Sequence, residues 1–135
     1  MLVKQASRGT RLSRKMSDPR ENGDGWIGVD LDGTLAYYDE FRGNDHVGDP
    51  IQPMVQRVQQ WLAEGRDVRI FTARQPHPAI RKFSHDNFGK ILPITNTKDS
   101  HMVALYDDRA VGVRRNEGEP FSEDNVKQIF DEDEE

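Results

Sequence analysis

The chain has no cysteine among its 135 residues. That excludes disulfides, a thiolate nucleophile and every cysteine-based zinc site. Long apolar runs are missing as well. No stretch approaches the roughly 20 apolar residues that a helix needs to cross a bilayer, so the expectation is a soluble, cytoplasmic protein without membrane contact. The four histidines, His46, His77, His85 and His101, lack the short spacings of zinc ligands. Apolar residues are scarce, 34% against 32% charged, a balance that suits solvated ends around one small core. The length allows a single core and no second domain.

The charge is unevenly placed. Lys4, Arg8, Arg11, Arg14 and Lys15 stand in a leader without a single acid, whereas the chain closes on Asp131-Glu132-Asp133-Glu134-Glu135. The leader has neither the apolar run of a signal peptide nor an amphipathic stripe, and Met16-Ser17-Asp18 reads as a second plausible start. Residues 1–23 are therefore expected to be a flexible basic extension, 24–130 the folded domain and 131–135 an acidic tail. Without the five leader cations the formal charge moves from −5 to −10. Such a body should not cling to nucleic acid non-specifically.

Apolar periodicity organises the middle of the chain. The run Trp26-Ile27-Gly28-Val29-Asp30-Leu31 reads as a buried strand with acids at its C-terminal end. Pro53 opens a helix over 54–64, with Val55, Val58 and Leu62 at helical spacing and Gly65 as the stop. A strand over 67–72 follows, then a helix over 79–89 carrying Ala79, Ile80 and Phe83 and ending at Gly89. Strands are expected at 91–95 and 103–107, a short fifth one at 111–113, and a last helix over 121–130 with Ser122 as N-cap and Phe121 stapled onto Val126. Alternating strand and helix predicts an α/β fold, a Rossmann-like parallel sheet with helices on both faces. In such sheets ligands bind beyond the carboxyl ends of the strands. Asp30, Thr72 and Asp107 all fall there.

Asp30 and Asp32 are two residues apart, so in extended geometry both point the same way while Leu31 packs inward. Two acids aimed at one point repel unless a cation joins them, and the repulsion lets one stay ionised for attack while the other holds a proton. Gly33 permits a sharp turn, and Thr34 offers a hydroxyl and an N–H to an anion. A simple Asx turn after a strand is the plainer alternative. Thr72, followed by Ala73 and Arg74, is placed to hydrogen-bond a phosphoryl oxygen, and Lys98 to neutralise its charge. Asp107 and Asp108 suit a hard, oxygen-seeking cation such as Mg²⁺. Singly, each residue has an ordinary surface explanation.

In this order, Asp-Leu-Asp-Gly-Thr at 30–34, Thr72, Lys98 and Asp107-Asp108 resemble the four-motif signature of haloacid dehalogenase-like hydrolases, over about residues 26–115. The resemblance implies that Asp30 attacks phosphorus to form an aspartyl-phosphate. It makes Asp32 the acid that protonates the leaving oxygen and later the base that activates water. Thr34, Thr72, Ala73, Arg74 and Lys98 would hold the phosphoryl group. Mg²⁺ would be bound by Asp30, the main-chain carbonyl of Asp32, Asp107 and Asp108, the last directly or through water. Lys98 stands only nine positions before Asp107, closer than many members place it.

The segments where relatives insert caps, about 36–50 and 75–90, are short here. A minimal or absent cap implies an open site for a bulky phosphate ester, or one closed by another subunit of an oligomer. Leu105-Tyr106-Asp107-Asp108-Arg109 also resembles the end of the phosphatase domain in bacteriophage polynucleotide kinase-phosphatases, and the whole resembles small phage-encoded hydrolases. Nucleotides or nucleic-acid ends are thereby substrate candidates. Tyr37, Tyr38 and Phe41 can stack on a base or simply pack their loop. Arg74 and Arg109 can grip a second substrate group, or Arg109 can pair with Asp107 or Asp108. Two other readings remain: a response-regulator-like phosphoacceptor, and a catalytically silent binding scaffold. Asp32 favours turnover over storage, because it supplies the acid/base that hydrolysis requires.

Overall fold

The computed structural model describes residues 24–121. Trp26–Asp30 forms β1, whose first four residues are buried, as a strand covered on both faces must be. Asp67–Phe71 forms β2, Ile94–Thr95 forms β3 and Met102–Tyr106 forms β4. The four strands make one all-parallel sheet in the order β3-β2-β1-β4. This is the α/β, Rossmann-like architecture expected. β1 thus lies between the strand that follows it and the strand that ends the sheet, and the crevice at this reversal of order opens beyond the carboxyl ends of β1, β2 and β4.

Two helices connect the first three strands. α1, Gln52–Ala63, starts with a proline in its first turn and buries Val55, Val58 and Trp61 on one stripe. Ile51 at its N-cap makes no side-chain cap bond; instead its N–H donates to the Leu35 carbonyl at 2.7 Å, tying the helix start to the turn after β1. α2, Pro78–Phe88, is capped by His77, whose side chain accepts from the Ala79 N–H, and ends on Gly89 at φ 75°, the left-handed geometry that glycine adopts without a Cβ penalty. β1, β2 and β3 step in one direction, so right-handed crossovers set both helices on the same face. There Ile27, Val29 and Leu31 join Val55, Val58, Trp61, Ile80, Phe83 and Leu92 in one core. Tyr106 on β4 closes it, its ring 5.1 Å from that of Trp61.

On the opposite face Trp26 is buried, donates from Nε1 to Asp99 at 2.9 Å and lies under the Arg69 guanidinium at 4.6 Å. The sequence led us to expect helices on both faces; both described helices lie on the other one, and a further helix was expected at 121–130. Apart from Phe121 that segment lies outside the described residues, as do residues 1–23 and the tail at 131–135.

Two sequence expectations are corrected. Val111–Val113 does not join the sheet; Val113 instead bridges antiparallel to Pro120, and the Phe121 N–H donates to the Gly112 carbonyl at 2.9 Å. The third strand is two residues long rather than five, because Pro93 has no N–H to give a ladder. Ser84, buried completely, joins α2 to the segment before β3. Its hydroxyl donates to the Lys90 carbonyl and accepts from the Leu92 N–H, each at 2.8 Å. Ser84→Ala should cost about 1–3 kcal/mol, since it strands a buried amide and a carbonyl. Urea unfolding of both proteins would reveal the loss; an unchanged midpoint would contradict it.

Candidate functional site

The turn after β1 builds the site. The N–H groups of Thr34, Leu35 and Ala36 all converge on the Leu31 carbonyl at 2.9–3.3 Å, while the Gly33 N–H returns to the Ala36 carbonyl at 2.8 Å. Gly33 has φ 87°, and a Cβ there would stand 2.5 Å from an Asp108 carboxylate oxygen. Glycine is therefore needed twice, for its conformation and for the close approach of Asp108. Since β4 pairs with β1, Asp107 and Asp108 leave the sheet beside Asp30. Ligand atoms of Asp30, Asp107 and Asp108 all lie within 4.8 Å of one another.

Thr34 organises these acids. Its hydroxyl lies 3.4 Å from Asp30 Oδ2 and 3.3 Å from Asp108 Oδ1, and it accepts the Asp108 N–H at 3.1 Å. Asp107 Oδ1 accepts the Arg109 N–H at 2.8 Å. Among the described residues no lysine or arginine side chain forms an ion pair with the three acids. The Asp30 carboxyl is pushed up to about 7 by burial, by hydrogen bonding with Asp108 and by repulsion from Asp107 and Asp108, against the lowering effect of the Leu31 N–H. Three clustered carboxylates, all oxygen donors and none neutralised by a side chain, fit a hard divalent cation such as Mg²⁺.

Asp32 is held differently. Arg74 grips it with two parallel bonds, Nε to Oδ2 at 2.8 Å and an Nη to Oδ1 at 2.9 Å, with only 8% of the arginine side chain exposed. The other Nη donates to the carbonyls of His46 at 2.6 Å and Gly43 at 3.4 Å, and the guanidinium lies 5.7 Å from the Phe41 ring centre. Residues 37–49 form a loop closed at its base by the Tyr37 N–H to Asp49 carbonyl bond and the Ala36–Pro50 bridge. Arg74 thus clamps this loop onto Asp32. No sequence signal pointed to that clamp, because its partners are 28 to 42 positions apart.

A cavity of about 550 Å³ opens here, and its lining includes the acids Asp30, Asp32, Asp107 and Asp108 together with Tyr38, Phe41, Asn44 and Gln75. Thr72, Ala73, Arg74 and Arg109 also line it. Thr72 is 3% exposed, and its hydroxyl accepts the Arg74 N–H at 3.1 Å. Two expected phosphate ligands are not at the cavity wall. Thr34 is engaged with the acids behind it. Lys98 is exposed on the loop after β3 and lines a separate depression with Asp99, Ser100 and residues 102–105. Its nearness to Asp107 in sequence does not help, because β4 runs back across the whole sheet before reaching the site edge.

No protein-family model matches the chain, and no curated protein matches it. Among solved structures, a conserved protein from Bacteroides thetaiotaomicron is similar, with 20% identity and a TM-score of 0.50 over 82% of this chain and 93% of that one. At such identity the likeness speaks for the fold alone. Among the described residues no helix is long and apolar enough to cross a membrane.

The raised Asp30 carboxyl carries a definite sign. A group whose folded pKa is higher than its unfolded one contributes stability below its ordinary value of 3.8, and that contribution is lost as pH rises through about 7. In chelator at pH 8, Asp30→Asn should therefore raise the melting temperature by about 4 °C or more, and by less than half as much at pH 5. A drop at pH 8, or equal shifts at the two pH values, would show that the acids do not repel as described.

Proposed function

We propose that the protein is a Mg²⁺-dependent phosphomonoesterase of the haloacid dehalogenase-like type, working through an aspartyl-phosphate on Asp30. The observation that carries this reading is the meeting of Asp30, Asp107 and Asp108 at the carboxyl edge of adjacent strands, with Asp32 facing the same cavity. Asp30, the main-chain carbonyl of Asp32, Asp107 and Asp108 would hold the metal. When bound, Mg²⁺ offsets the carboxylate charge and that of the phosphoryl oxygens.

In the first half-reaction an Asp30 oxygen forms a bond to phosphorus as the bond to the leaving oxygen breaks, and a proton on Asp32 passes to that oxygen. In the second, Asp32 takes a proton from water, the water oxygen bonds to phosphorus, and the Asp30–phosphorus bond breaks to release phosphate. As a carboxylate held by two Arg74 donors, Asp32 is arranged for the second step. The first requires a protonated Asp32 and hence a loosened Arg74 pair. Thr72 at the cavity wall would receive a phosphoryl oxygen.

Nucleotides or nucleic-acid ends are the esters best supported. Tyr38 and Phe41 face the cavity while 44% and 60% exposed, and each offers a ring on which a base can stack. The loop is short and the cavity open, which suits a bulky ester.

Hydrolysis of phosphate esters with Mg²⁺ tests the reading. Mg²⁺ should raise the melting temperature of the wild type, and by less in Asp107→Asn. Asp30→Asn should abolish turnover. Asp32→Asn should slow it about 10²–10⁴-fold on alkyl esters, while an activated aryl phosphate still loads Asp30 with an adduct visible by mass spectrometry after acid quench. A wild type that stores phosphate without releasing it would instead be a phosphoacceptor module, and normal turnover of alkyl esters by Asp32→Asn would refute the acid/base role.

A further inference from the structure

The geometry points to Arg109 as the cation that receives the substrate phosphate, in place of the lysine that the sequence order suggested. This rests on the phosphomonoesterase reading above. Phosphoryl transfer needs positive charge facing the equatorial oxygens besides the metal, and the residues lining the cavity include two arginines, Arg74 and Arg109. Arg74 is committed: Nε and one Nη hold Asp32, and the other Nη holds the Gly43 and His46 carbonyls. A phosphate could recruit it only at the expense of Asp32, which needs those donors as the carboxylate that activates water, or of the loop. Lys98 opens onto a different surface.

Arg109 is free to act. Among the described residues its guanidinium makes no ion pair or hydrogen bond, since only its backbone N–H is engaged, donating to Asp107 Oδ1 at 2.8 Å. That bond, with the Ala110 N–H to Asp107 carbonyl bond at 3.4 Å, forms the tight turn by which the chain leaves β4. The same turn sets Asp107 and Asp108 against Asp30 and Arg109 at the cavity wall. The sequence left open whether Arg109 pairs with these acids; it does not. A guanidinium fork matches two phosphate oxygens at once, which an ammonium cannot do.

The test is calorimetric titration of inorganic phosphate into the full chain with Mg²⁺, comparing wild type, Arg109→Ala, Arg109→Lys and Lys98→Ala. Arg109→Ala should weaken phosphate binding about 10- to 100-fold without changing the melting temperature, as its side chain is exposed. Arg109→Lys should recover part of the loss, and Lys98→Ala should stay within about twofold of wild type. The assignment is overturned if Arg109→Ala binds within about twofold of wild type, if Lys98→Ala shows the larger loss, or if the wild type binds no phosphate. Failure of the esterase reading looks different: no ester is hydrolysed, while the variants still differ in phosphate binding.

Discussion

The site depends on one constraint, the position of β1 between β2 and β4 in a parallel sheet. Parallel pairing brings the carboxyl ends of adjacent strands to one edge, so Asp30 and Asp107, 77 positions apart, become neighbours. The cost is like-charge crowding. The chain tolerates it by local means: a Thr34 hydroxyl between two carboxylates, an Asp108 N–H directed at that hydroxyl, and a glycine where a side chain would collide with Asp108. None of these removes the charge. Among the described residues no lysine or arginine side chain pairs with the three acids, so their crowding lifts the Asp30 carboxyl and costs stability as pH rises through about 7.

The two acids of the Asp-x-Asp pair receive opposite environments. Asp30 faces other carboxylates and is lifted toward neutrality, whereas Asp32 lies in a two-bond arginine fork. Without a cation these surroundings run against the roles proposed for the pair, since attack needs Asp30 ionised and protonation of the leaving oxygen needs a proton on Asp32. The fork also reaches the carbonyls of the 37–49 loop, so the position of Asp32 and that of the aromatic wall at Tyr38 and Phe41 are mechanically joined through Arg74.

Much of the fold was legible because its signals are local. Pro53 and Gly65 bound the first helix, and Pro78 and Gly89 the second, by backbone preferences that need no tertiary context. The burial of β1 followed from its unbroken apolar run. Expectations went astray where a strand depended on its neighbours. Val111 and Val113 have strand-forming side chains, yet they fold back toward Pro120 instead of adding to the sheet, and Pro93 shortens β3. Ser84 carried no sequence signal at all, for a buried serine is recognised only by the amide and carbonyl that it joins.

What the sequence by itself determined is the edge to which these groups go: Asp30 and Asp32 at one strand end, Thr72 at the next, Asp107 and Asp108 at a third. Strand direction and side-chain alternation follow from local chemistry, and parallel connections then send all three ends the same way. Only the tertiary structure decided which cations meet these acids. Arg74 is spent on Asp32 and the loop, Lys98 faces elsewhere, and Arg109, a lining residue of the cavity, has no side-chain partner among the described residues. Spacing along the chain cannot reveal this, because a long side chain's partner is set by loop paths and competing acceptors, which exist only once the chain has folded.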